Sequence, residues 1–307
     1  MSRAVAVLLG GWSAEREVSL VSGAECACAL QKLGYEVRKI DVTRDLGALV
    51  AALTPRPHAV FNALHGRGGE DGTIQGVLET LQIPYTHSGV LASALAMDKP
   101  MAKRCFAAVG LPLAEGVVLD RARIAEGDPL ERPFVVKPIN EGSSVGVRIV
   151  GKDDASWPAE AQAWNFGERV LVERYVPGRE ITVAVMGERA LGVLEIRPVK
   201  GGLYDYAAKY APGGSRHLVP APIHRQAQAQ ALDIALRAHQ ALGCRGVSRA
   251  DLRYDDTAGE PGRVILLEVN TQPGMTPTSL VPEIAQHAGI GFTELVQWMM
   301  EHAACDS

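Results

Sequence analysis

Ala4-Val5-Ala6-Val7-Leu8-Leu9-Gly10-Gly11-Trp12-Ser13-Ala14-Glu15-Arg16-Glu17 opens the chain with an unbroken apolar run, a pair of glycines and a charged turn. A run that is apolar at every position predicts a strand buried on both faces, as in a parallel sheet. Gly10 and Gly11 break it, and residues 17–33 then carry Val18, Val21, Ala24, Cys28 and Leu33 at helical spacing, ending at Gly34. A strand followed at once by a helix is the repeating unit of an open α/β sheet. The alternation continues outward, with strands predicted at 37–42 and 59–62 and helices at 46–53 and 72–81. Residues 85–91 are turn-rich, which places a first boundary near Met97.

Beyond that boundary the pattern changes. After a helix over 100–109, strands are predicted at 116–119, 134–137, 145–150 and 170–174, with a single helix at 155–166 between them. This describes a small α+β lobe. Further strands follow at 181–186, 191–197, 249–254 and 264–269, with a long helix over 224–242 and a last one over 292–304. Residues 200–222 are rich in Gly, Pro and Tyr and lack periodicity, which is the composition of a lid or binding loop.

Composition narrows the function classes. A chain of 307 residues predicts about two domains. Apolar residues at 47% and charged residues at 21% describe a globular protein and exclude global disorder. Lys and Arg total 31 against 35 Asp and Glu, a net −4, so no basic excess points to a nucleic-acid partner. The apolar run 4–9 is far shorter than the roughly 20 residues of a membrane span. It also lacks the basic lead-in and cleavage site of a secretory signal, so the chain reads as cytoplasmic, with no membrane partner. The five cysteines are an odd number, and the spacing of Cys26 and Cys28 suits neither zinc nor a dithiol pair. Free thiols in a reducing compartment are the expectation.

Four dispersed segments carry chemistry. The first is the Gly10–Glu17 turn itself, at the carboxyl edge of a strand and the start of a helix, where α/β proteins bind ligands. The second is His65-Gly66-Arg67-Gly68-Gly69-Glu70-Asp71-Gly72, whose glycines let backbone approach a ligand while charged groups stay available. In the third, a strand delivers Lys137, and Glu141-Gly142-Ser143-Ser144-Val145-Gly146 follows, a loop able to cradle phosphate oxygens. The fourth is Ser248-Arg249-Ala250-Asp251-Leu252 with Leu267-Glu268-Val269-Asn270-Thr271-Gln272-Pro273-Gly274-Met275. Glu268 and Asn270, two apart, share one face of a strand, and with Asp251 they offer the all-oxygen donor set that suits Mg²⁺ held jointly with phosphates. Arg249 shares the face of Asp251, and its fork suits an anionic oxygen.

Together, in order and over essentially the whole chain, these segments resemble the ATP-grasp ligases, and within them the D-alanine–D-alanine ligases. The resemblance implies an α/β fold of three lobes: an N-terminal open parallel-sheet domain (1–97), a central ATP-grasp lobe (98–180) and a C-terminal ATP-grasp lobe (181–307) that carries the 200–222 lid. ATP would lie between the second and third lobes. By the same resemblance, Glu15 binds the ammonium of the first D-alanine and forms a cluster with Ser143 and Tyr210. His65 lies near the reacting carboxylate. Lys99, Lys137, Ser144 and Lys209 face the phosphates, Glu173-Arg174-Tyr175-Val176 form the adenine hinge, and Glu180 holds the ribose. Asp251, Glu268 and Asn270 ligate Mg²⁺, two ions being implied and Mn²⁺ a substitute. Arg249 and the Gly274 N–H stabilise the oxyanion, and Ser279 with Leu280 receives the second D-alanine. The reaction implied is ATP-dependent ligation of two D-alanines through an acyl phosphate, for peptidoglycan precursor synthesis, by a homodimer. Two alternatives remain open on sequence: a related ligase with D-lactate as acceptor, and an ATP-binding module without catalysis.

Overall fold

The protein is described from a computed structural model covering residues 3–199 and 213–306. The opening apolar run is strand β1 (Ala4–Gly10), buried at every position after its first. It lies between β2 (Glu36–Val42) and β3 (Val60–Asn62) in a parallel sheet of order β2–β1–β3. Helices α1 (Arg16–Lys32), α2 (Leu46–Ala52) and α3 (Thr73–Thr80) link and follow these strands. The turn-rich stretch gives way to a helix that the sequence reading did not anticipate, α4 (Val90–Met97), with Gly89 as its N-cap.

A second sheet is antiparallel, in the order β4 (Gly116–Asp120), β7 (Arg169–Arg174), β5 (Phe134–Pro138) and β6 (Arg148–Val150). Two helices accompany it rather than one. α7 (Trp157–Gln162) is the anticipated helix, and α6 (Arg121–Ala125) spans five residues, too few to show a period. Strand β6 is shorter than expected because Gly146 has a left-handed φ of 70° and the Val147 N–H turns back to the Ser144 carbonyl at 3.2 Å, so the chain pairs only from Arg148. Phe134, Val136, Trp157, Val170 and Val172 form a core of their own beneath this sheet.

The third sheet contains five antiparallel strands, β8 (Arg179–Met186), β9 (Arg189–Pro198), β10 (Ser215–Leu218), β11 (Val247–Asp255) and β12 (Arg263–Asn270), ordered β10–β9–β8–β11–β12. Helix α8 (Arg225–Ala241) packs its alanine-rich face against it. The expected loop over 200–222 therefore contains a strand, since 215–218 pairs with β9. The remaining part of that stretch, 200–212, lies outside the described residues. Helix α9 (Leu280–His287) was not anticipated either. Its Pro282 falls in the first turn, where a missing N–H costs nothing. The chain ends in α10 (Phe292–Glu301).

Two features blur the expected boundaries. β8 begins at Arg179, so a division after 180 falls inside a strand. Helix α5 (Lys99–Ala108) buries Ala102 and Phe106 in the core of the five-stranded sheet, not in that of the four-stranded one. The parallel sheet and the five-stranded sheet also share a core, in which Val5, Val7 and Phe61 meet Ala184, Leu194, Met275 and Ile284. All five thiols are free, with Cys26 buried and Cys28 exposed. Among the described residues no helix is long and apolar enough to cross a membrane.

Candidate active site

Glu15 is the N-cap residue of α1, set there by the turn that the β1 glycines begin. Ser13 holds this turn: its hydroxyl donates to the His65 carbonyl at 2.7 Å and accepts from the Glu15 N–H at 3.1 Å. Gly66 has φ +68°, and a Cβ there would lie 2.9 Å from Glu15 Oε2, so both conformation and space call for glycine. From the other side comes the serine loop, where the Ser143 hydroxyl donates to Glu15 Oε1. Glu15 and Ser143, 128 residues apart, are thus brought together. Tyr210, expected in the same cluster, lies outside the described residues, as does Lys209.

His65 and Glu70 are buried beside this corner. The His65 Nε2 is 3.2 Å from Ser22 Oγ on α1. Burial pushes the His65 imidazole below its usual value, with Arg249's charge adding to the effect against the pull of Glu15. Burial and then the charge of Glu15 hold the Glu70 carboxyl well above the carboxylate range, and Glu268 adds to this. Glu70 stood in a motif on sequence but received no role.

The β11–β12 pair forms the opposite wall. Arg249 pairs in register with Asn270, and Asp251 with Glu268, so all four project from one face; the register slips just after Asp251. Arg249 forks onto Asp251, Nε to Oδ1 at 2.9 Å and Nη2 to Oδ2 at 2.8 Å. Thr182 on β8, a residue the sequence did not flag, donates to Asp251 Oδ1 at 2.7 Å. Asn270 Oδ1 accepts from the Gln272 N–H at 2.7 Å. Gln272 in turn accepts at Oε1 from the Asn62 amide at 2.8 Å and donates to the Leu64 carbonyl, tying the end of β12 to the end of β3. Beyond it, Ser279 caps the turn into α9 and accepts from the Thr276 N–H at 3.0 Å.

Among the described residues, no three His, Cys, Asp or Glu side chains group as a metal site. Two carboxylates and one amide do group here. Asp251 and Glu268 are like charges directly opposed across a strand pair, an arrangement that costs stability unless a cation lies between or beside them. With Asn270 they form a hard, all-oxygen set, and that set fits Mg²⁺.

The last cluster lies between the two antiparallel sheets. Lys137 on β5 places Nζ 2.5 Å from Glu173 Oε2 on β7, and Lys103 on α5 grips Oε1. Burial works to raise the Glu173 carboxyl, but Lys137 and Lys103 outweigh it and hold it below the ordinary range. Burial likewise works against the Lys137 ammonium, and Glu173 more than offsets it. Lys103 was missed on sequence, although it stands four residues after Lys99 on one helix face, a spacing that could have found it. Lys99 Nζ donates to the Glu141 carbonyl at 2.6 Å. In the hinge, Arg174 pairs outward with Glu115 at 2.9 Å. Arg253 organises the rest: its guanidinium lies 5.8 Å from the Tyr175 ring, donates to the Val176 carbonyl at 3.1 Å and sits 3.9 Å from Glu180.

These walls enclose two adjoining cavities. One of about 980 Å³ is lined by Glu15, His65, Ser143, Arg249, Asn270, Gly274, Ser279 and Leu280. A narrow slot of about 100 Å³ is lined by Lys137, Ser144, Glu173, Arg174, Tyr175, Val176, Glu180 and Asp251. Lys99, Glu141 and Glu268 line both.

Residues 105–301 match the family described as the D-ala D-ala ligase C-terminus, and residues 47–88 match the D-ala D-ala ligase N-terminus. The D-alanine--D-alanine ligase of Paramagnetospirillum magneticum is 61% identical, over 100% of each chain. That of Granulibacter bethesdensis is 59% identical, over 99% of this chain and 98% of the relative. Among solved structures, the D-alanine--D-alanine ligase of Bacillus anthracis complexed with ATP has a TM-score of 0.80 at 30% identity, covering 98% of this chain and 96% of that one. A slot between two antiparallel sheets that opens onto a charged substrate cavity defines an ATP-grasp ligase. Within that class, the chain belongs to the D-alanine–D-alanine ligase family.

Proposed function

We propose that the chain joins two D-alanines at the cost of ATP, through a D-alanyl phosphate, to make a peptidoglycan precursor. The observation that carries this reading is the shared wall: Lys99, Glu141 and Glu268 border both the substrate cavity and the nucleotide slot, so a carboxylate in one can meet a γ-phosphate in the other. ATP lies in the slot between the 98–180 and 181–307 lobes, with adenine against Glu173-Arg174-Tyr175-Val176 and ribose at Glu180. Lys99, Lys137 and Ser144 face its phosphates, joined by Lys209.

The first D-alanine places its ammonium at Glu15, whose carboxylate the Ser143 hydroxyl and Tyr210 orient, and its carboxylate near His65. That carboxylate oxygen bonds to the γ-phosphorus as the bond to ADP breaks. The amine of the second D-alanine, having lost a proton, then attacks the acyl carbon, and phosphate departs from the tetrahedral intermediate. Arg249 and the Gly274 N–H offset the negative charge on its oxygen, the kind of preorganised stabilisation that dominates such steps. Ser279 and the Leu280 backbone hold the second D-alanine by its carboxylate. Asp251, Glu268 and Asn270 would hold Mg²⁺, two ions with Mn²⁺ as a substitute, which supplies positive charge to the phosphate oxygens. Water must be kept from the acyl phosphate, and the 200–222 stretch takes that role.

The enzyme works in the cytoplasm as a homodimer; its five free thiols suit a reducing compartment, and the family resemblance supports the dimer. A coupled assay of ADP release tests the reading. D-alanine with Mg²⁺ is expected to drive release and L-alanine is not. Release that ignores D-alanine would leave only an ATP-binding module, and a depsipeptide product with D-lactate supplied beside D-alanine would change the acceptor.

A further inference from the structure

Strand β10 carries two side chains into the wall of the large cavity, Ser215 and His217. His217 lies between two partners. Its Nδ1 is 2.6 Å from Glu283 Oε2, and its Nε2 is 3.1 Å from Ser215 Oγ. Glu283 stands in the first turn of α9, four residues after Ser279, and its own N–H donates to the Ser279 carbonyl. The imidazole is 17% exposed and the carboxylate 32%, so both are largely withdrawn from water. Ser215, His217, Ser279, Leu280 and Glu283 border the same cavity.

We propose that His217 is a positioning residue for the second D-alanine, acting through Glu283. The pair fastens the start of α9, with Ser279 and Leu280, to strand β10 at the edge of the five-stranded sheet. The side chain does not touch the reacting atoms. It fixes the height of the α9 N-terminus, where backbone N–H groups meet a carboxylate, and a misplacement of about 1 Å there is enough to cost affinity. Ser215 sets the other ring nitrogen, so the imidazole cannot turn away from Glu283 without losing two bonds. This proposal rests on the reading that Ser279 and Leu280 receive the second substrate.

The test uses the full-length enzyme, with the Michaelis constants of the two D-alanine sites resolved from the D-alanine dependence of ADP release. In His217→Ala and Glu283→Ala, the constant of the second site is expected to rise about tenfold, equivalent to about 1.4 kcal/mol. The first-site constant and that for ATP should stay within about twofold of the parent enzyme. His217→Asn keeps a donor near the Nδ1 position and is expected to recover most of the loss. The double Ala variant should be no worse than the worse single, since both substitutions break one contact. Thermal melts accompany each variant, and His217→Phe with Glu283→Met, which fill the space but cannot make the bond, replace any Ala variant that unfolds. An unchanged second-site constant overturns the proposal, as does a parallel shift of all three constants. A parent enzyme that releases no ADP with D-alanine overturns the functional reading instead, and that control separates the two failures.

Discussion

Asp251 and Glu268 face each other directly across β11 and β12, and Arg249, two residues before Asp251, forks onto its carboxylate. One guanidinium thus neutralises half of a paired negative charge where the large cavity adjoins the narrow slot. Arg249→Ala removes that neutralisation and, with it, the oxyanion donor proposed above. Loss of a single such donor typically costs about 100- to 1,000-fold in turnover. ADP release by the variant should therefore fall by at least about 100-fold, while near-normal turnover would take Arg249 out of the mechanism.

Lys103 grips one oxygen of Glu173 and Lys137 holds the other. In Lys103→Met the carboxylate keeps one partner and its free oxygen draws Lys137 away from the phosphates. The Michaelis constant for ATP should rise about tenfold, a loss of about 1.4 kcal/mol, with those for D-alanine nearly unchanged. Equal shifts for both substrates would assign Lys103 to general stability.

Gly66 combines a left-handed φ with a Cβ position 2.9 Å from Glu15 Oε2. Gly66→Ala must strain the backbone and push the Glu15 carboxylate out of place, at a conformational cost of about 1–3 kcal/mol. D-alanine binding at the first site should weaken while ATP binding, followed by fluorescence titration, holds. An unaltered first-site constant would mean that Glu15 does not hold the ammonium.

His87 and His239 are buried neutral imidazoles, with pKa values pushed down to about 3 and about 4 by burial. Unfolded, each titrates near 6.5. Between about pH 6.5 and pH 4 the unfolded chain therefore takes up protons that the fold refuses, and stability must fall as pH falls. His239 alone contributes a slope of up to about 1.4 kcal/mol per pH unit, the value for one proton. In His239→Gln, urea midpoints measured across this window should show a shallower slope by up to that amount. A slope unaltered by the substitution would mean that His239 is charged in the folded protein.

The first sheet could be read from the chain because β1 is apolar at every position and its glycines stand where the strand must end. The Glu268–Asn270 wall could be read because period-two spacing places both on one face. Other parts had no local signal. α6 is shorter than two turns, α9 carries a proline, and β10 pairs only because β9 offers its edge. Thr182 and Arg253 owe their places to partners more than 60 residues away, and no window along the sequence contains both members of such a pair; Lys103 alone had a local signal, its spacing from Lys99 on α5. His217 and Glu283, 66 residues apart, were invisible for the same reason.

The distribution of cores has a mechanical consequence. The parallel sheet and the five-stranded sheet share one apolar interior and are further bolted together by the Asn62–Gln272 bond. The four-stranded sheet keeps a separate interior. The protein is therefore built as a fixed jaw of two sheets with one interior and a free jaw whose interior is its own. Lys103 stands on the fixed jaw and Glu173 on the free jaw, so their ion pair spans the bite itself.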